Sequence, residues 1–188
     1  HREAPAITIQ LHCTNEVVSL ARREADIALR LARPREDNVI TKQLADIPVA
    51  LYASTAYIEA HGAPSDPERS LAGHQVMLFA ATRHFRVEND WMEARTAGAR
   101  IVMRADSVSA IYSAAEAGVG IALLPRAVAE RESHLVRIAT ETAPDPRVIW
   151  QTIHRDLRGS AKVRAVMGFL ERVLTKPGTS GTPGVPRS

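Results

Sequence analysis

The chain has 188 residues, 45% hydrophobic and 24% charged, with a formal net charge of +3, the make-up of an ordinary globular protein with room for one domain or two small lobes. Its 4% of aromatic residues is too few for a stacking platform on single-stranded nucleic acid, and its basic residues are scattered rather than blocked, so composition alone marks no nucleic-acid surface. The single cysteine, Cys13, excludes an internal disulfide and a thiolate metal cluster, and neither a signal-peptide pattern nor a run of about 18 apolar residues is present.

Ala6 to Cys13 alternates, with Ile7, Ile9, Leu11 and Cys13 on one face, which predicts a half-buried strand with Cys13 toward the core. Asn15 to Arg23 predicts a helix capped by Thr14 or Asn15, and Ala25 to Leu31 a buried strand. Together these form a short βαβ unit with a right-handed crossover. Val39 to Leu44 and Val49 to Ser54 read as strands, and a helix from Thr55 stops at His61-Gly62. Pro64, Pro67 and Gly73 mark a loop, Gln75 to Ala80 a strand, and Thr82 to Thr96 is a polar stretch around Trp91 without a clear period. Arg100 to Ala105 is a strand. Asp106 or Ser107 caps a helix through Ala117, Gly118 and Gly120 end it, and Val119 to Leu124 is a buried strand followed by a helix at Pro125. Leu135 to Ala139 and Val148 to His154 read as strands. The last helix starts at Gly159-Ser160 with Val163, Val166, Met167, Leu170 and Leu174 on one stripe. From Lys176 the sequence is rich in Gly, Pro, Ser and Thr and reads as a disordered tail.

In open α/β sheets ligands sit outside the carboxyl ends of strands and at helix N-termini, where unpaired N–H groups and the helix dipole favour an anion. That rule selects Thr14 and Asn15 after the first strand, Arg30 and Leu31 at the end of the second, and Ser107 and Val108 at the start of the capped helix. The competing reading is structural: Asp106 or Ser107 only caps, and Arg30 pairs with a neighbouring carboxylate. Gly118-Val119-Gly120 follows a helix and precedes a strand, the reverse of a dinucleotide fingerprint, and is a helix stop. His154-Arg155-Asp156 echoes a kinase catalytic loop without its companion motifs. The seven histidines form no ligand cluster, and no serine has a nucleophile-elbow context, so no metal, cofactor or catalytic group is expected.

Arg22 to Arg30, Arg-Arg-Glu-Ala-Asp-Ile-Ala-Leu-Arg, resembles the signature of the effector-binding domain of LysR-type transcriptional regulators. Leu51-Tyr52-Ala53-Ser54 with Tyr57 and His61-Gly62-Ala63-Pro64, the stretch from Ala114 to Pro125, and His154 to Arg158 with Phe169-Leu170 resemble further parts of that domain, in order from Ile7 to Leu174. The resemblance implies an α/β fold of the type 2 periplasmic-binding-protein kind, with two Rossmann-like lobes joined by two crossing strands. Residues 1–50 and 125–174 would form the first lobe, 51–124 the second, and 175–188 a disordered tail. It implies a small anionic effector, a carboxylate, held between the lobes by Thr14, Asn15, Arg30, Leu31, Ser107 and Val108. It also implies no enzymatic activity, a cytoplasmic setting and a homodimer or tetramer in the intact regulator. DNA would be read only through an N-terminal helix-turn-helix that has no counterpart in these residues, nor do the domain's first strand and helix. A solute-binding protein of a transport system, an enzyme on the same fold and a non-functional truncated fragment remain the alternatives.

Overall fold

The computed structural model describes residues 2–14, 16, 18–81, 83–131 and 134–174. The tail from residue 175, together with Asn15, lies outside the described residues. The chain divides into two compact units, His1–Asp46 with Val148–Ser188 and Ile47–Arg147.

The first unit is built on a three-stranded sheet of β1 (Ile27–Arg30), β8 (Arg147–His154) and β2 (Val39–Ile47), in the order β1-β8-β2. β1 runs antiparallel to β8, with Ile27 opposite Ile153 and Arg30 opposite Trp150. After β8 a 3-10 turn, Arg155–Gly159, leads into the helix α5 (Ala161–Leu174). Its apolar stripe faces inward with Val163 buried, and Lys42 on β2 pairs with Glu171 at 2.9 Å.

The front of this unit departs from the expected βαβ. Ala6 to Cys13 forms no strand: Ile9 is 60% exposed, Leu11 80%, and Cys13 is exposed rather than in the core. Alternation supplies a face but no ladder, and an extended segment without a paired neighbour has nothing to hold it. Where the expected helix should end, residues 20–23 form a turn, while Asn15 and Val17 lie outside the described residues. The Arg23 N–H donates to the Leu20 carbonyl (3.1 Å), and Arg23 takes a positive φ of 58°. Side chains compete for the backbone here: Glu24 accepts from the Ser19 N–H at 2.8 Å and Ser19 Oγ from the Arg22 N–H at 3.3 Å.

The second unit holds a five-stranded sheet in the order β5-β4-β6-β3-β7. Its strands are β3 (Val49–Ser54), β4 (Gln75–Phe79), β5 (Arg100–Ala105), β6 (Ile121–Pro125) and β7 (Leu135–Ile138). β4 is parallel to both β5 and β6, whereas β3 is antiparallel to both β6 and β7. The central strands are near-continuous apolar runs because both sheet faces are covered. Leu51, Ala53, Val76, Leu78, Ile121 and Leu123 pack on one side with Tyr57 of α1 (Thr55–His61) and Met92 of α2 (Arg86–Glu93). Tyr52, Met77, Phe79, Ala122 and Leu124 pack on the other with Ile111 and Ala115 of α3 (Val108–Glu116) and Ala129 of α4 (Arg126–Ala129).

The unassigned polar stretch from residue 82 is therefore partly helical. Trp91 covers the core, and the Arg95 guanidinium lies 3.5 Å from the centre of its ring. The buried Glu88 on α2 accepts from Nε and Nη2 along one edge of the Arg147 guanidinium, fastening the end of this unit to its helix.

The second crossing between the units falls later than residue 124. β7 pairs with β3 from Leu51↔Ile138 to Ser54↔Leu135, and Ala129 enters the shared core, so residues 125–147 stay with the second unit. The first crossing falls slightly earlier than residue 50, because Val49 already pairs with Pro125.

Candidate ligand-binding site

The selected residues fall in two groups, and each is set by its own unit. In the second unit β5 ends at Ala105 and the chain turns through Asp106 into α3. Ser107 is extended (φ −122°, ψ 126°), as an N-cap requires, and its Oγ accepts from the Ala110 N–H at 3.4 Å. The same oxygen lies 2.7 Å from Ser109 Oγ, so two hydroxyls sit side by side at the helix start. No acidic side chain occupies the first turn, and Asp106 directly precedes the cap. Val108 packs its side chain against the core and offers only its backbone to this end.

In the first unit Arg30 ends β1 and is engaged. Its Nη1 donates to Glu36 Oε1 at 2.5 Å and its Nη2 to the Val18 carbonyl at 2.6 Å. Only 15% of the side chain is exposed. The structural alternative allowed by the sequence, a carboxylate partner for Arg30, is thus present. Leu31 follows with 46% of its surface exposed. Thr14 is exposed, and its Oγ1 accepts from the Glu16 N–H at 3.0 Å, closing a local turn rather than capping a helix. Thr14, Arg30 and Leu31 thus belong to one unit, Ser107 and Val108 to the other, and Asn15 lies outside the described residues.

Sequence reasoning did not find Glu36, six residues after Arg30 across an irregular loop where no periodicity applies. It also missed a charged cluster on β3 and α4. The Tyr52 hydroxyl donates to Glu130 Oε1 (3.1 Å), and Arg126 Nε donates to the same oxygen (2.9 Å). The Arg126–Glu130 pair has the i, i+4 spacing that marks helix partners, which was a usable signal. Tyr52 lies 78 residues from Glu130 and gave none. Burial, followed by the Glu130 charge, pushes the Tyr52 hydroxyl up to about 12. The Arg126 hydrogen bond holds Glu130 below the usual carboxylate range. Neither group changes protonation near neutral pH, so the cluster braces α4 on β3. Among the described residues no group of His, Cys, Asp or Glu is arranged to hold a metal ion.

Comparison with known proteins follows the same lines. The family model of the LysR substrate binding domain matches residues 1–175. A curated HTH-type transcriptional regulator from Xanthomonas campestris is 29% identical over 178 residues, which is 90% of this chain and 52% of that protein. The chain thus spans about half the length of this relative. Among solved structures, the regulatory domain of the LysR-type regulator CrgA from Neisseria meningitidis superposes with a TM-score of 0.70 at 22% identity. That likeness covers 86% of this chain and 81% of that one. The Synechocystis CcmR regulatory domain, solved in complex with 2-PG, gives 0.60 at 17% identity over 84% and 77%. These likenesses establish the fold as type 2 periplasmic-binding-protein-like. With the family model matched along nearly its whole described length, the chain belongs to the LysR substrate-binding domain family.

Proposed function

We propose that the chain is the ligand-sensing part of a LysR-type transcription factor, that its effector is a small carboxylate or similar anion, and that it binds without catalysing a reaction. The observation that supports this most is the start of α3, where a Ser107 cap, a second hydroxyl on Ser109 and a first turn without acidic residues favour negative charge. Of the CcmR domain, the solved structure says that it was obtained with 2-PG bound. In this reading the residues that hold the effector are Thr14, Asn15, Arg30, Leu31, Ser107 and Val108. Arg30 enters only by sharing or leaving Glu36, so Glu36 competes with the effector for the guanidinium. Binding would then shift the population of arrangements of a DNA-bound, cytoplasmic homodimer or tetramer in the longer protein.

Titration calorimetry with small carboxylates tests the assignment. Arg30→Ala and Ser107→Ala should each weaken the same compound about tenfold, in line with one charge-assisted hydrogen bond. Glu36→Gln should tighten it. Unchanged affinity in all three variants would place the effector elsewhere.

A further inference from the structure

A run of basic residues follows β8, and folding brings Arg23 beside it. Arg155, Arg158, Lys162 and Arg164 follow β8 within ten positions, and Asp156 is the one carboxylate between residues 154 and 170. The Arg155 N–H donates to the Asn38 carbonyl at 2.9 Å and anchors the 3-10 turn, in which Arg155 and Arg158, three apart, share a side. Lys162 and Arg164 flank the buried Val163 on the first turn of α5, a turn with no acidic residue. From far earlier in the chain, the Ser19–Glu24 turn brings Arg23 to 3.8 Å from Asp156. Arg23 thus meets the 3-10 turn, with Arg22 next to it in sequence, and Asp156 is already paired with Arg23. All six basic side chains are exposed, and among the described residues Arg22, Arg155, Arg158, Lys162 and Arg164 form no ion pair. The far end of α5 differs, with Arg172 paired to Glu3 and Glu171 to Lys42.

We propose that this surface of the first unit binds the phosphodiester backbone of duplex DNA. Five of the six cations are arginines, whose planar fork matches phosphate oxygens, and a charged surface of this kind binds without reading sequence. No large apolar residue is exposed between residues 154 and 165, so the surface has nothing to insert into a lipid headgroup layer. The Xanthomonas relative, about twice the length of this chain, is named a helix-turn-helix regulator, which sets DNA beside the domain. The contact is separate from the proposed effector residues and does not depend on them.

Fluorescence anisotropy of the purified 188-residue chain with a labelled random-sequence duplex tests it. The expected result is binding that weakens roughly a hundredfold from about 50 to about 200 mM salt, as for about four phosphate contacts. The double reversal Arg158→Glu with Lys162→Glu should weaken binding at least about tenfold and flatten the salt slope by about two. A control of equal charge, Arg86→Glu with Arg100→Glu on exposed positions of the second unit, should leave the slope unchanged. No binding at low salt, or an equal loss in the control, would overturn the proposal. So would binding to vesicles of anionic lipid in place of the duplex.

Discussion

Tyr57 accepts a hydrogen bond from the Gln75 N–H at 2.9 Å, which leaves its own proton for His74 Nδ1 at 3.4 Å and casts that ring as a neutral acceptor. His61 stacks on the Tyr57 ring, with ring centres 4.4 Å apart, and the Arg100 N–H from β5 donates to the His74 carbonyl. Burial, followed by the nearby His61, holds the His74 ring below the ordinary histidine value. The unfolded chain, with an imidazole near 6.5, therefore binds more protons than the folded one between that lowered value and about 6.5. The stability this neutral ring contributes is complete above about pH 6.5 and is lost as pH falls through the folded value. A melting series from pH 8 to pH 5 should show the loss, and proton NMR should find His74 titrating below the ordinary histidine value. A ring that titrates at the ordinary histidine value would contradict it. None of this was legible beforehand: His74 and Tyr57 are 17 residues apart and meet only when α1 closes on the sheet.

At the scale of elements, the sequence announced best what depends on neighbours in the chain. α1 begins at Ser54, whose Oγ accepts from the Tyr57 N–H (3.1 Å), and stops where the Gly62 N–H reaches the Ile58 carbonyl (2.8 Å). α3 and its glycine stop were legible for the same reason. Gly118 takes a φ of 78° that suits glycine. Gly120 has a different reason, invisible in the sequence: a Cβ there would lie 2.6 Å from the Gln75 carbonyl oxygen, where β6 approaches β4. Gly120→Ala should therefore destabilise the second unit by about 2 kcal/mol, as overpacking does, measured by urea unfolding. An unchanged midpoint would show that β6 can shift away from β4. Ala6 to Cys13 shows the opposite limit. Its alternation is as clean as that of any strand here, yet whether a strand forms depends on a partner that no local pattern reports.

For the whole molecule, the family was legible because its motifs recur in order along the chain, each with a local physical role. The candidate site was only half legible. The cap at Ser107 follows from local grammar, whereas the Glu36 and Val18 partners of Arg30 come from an irregular loop and a turn. Such loops carry function because a scaffold positions them, and they leave little periodicity to read. The claim that this domain senses a small anion is tested most directly by a thermal melt of the purified chain against a panel of small carboxylates and phosphates. One compound should raise a cooperative transition in proportion to the logarithm of its concentration, adding roughly 2.7 kcal/mol at about 100 times its dissociation constant. A cooperative transition that no anion moves, while an uncharged compound does, would contradict the anionic reading of the site at α3.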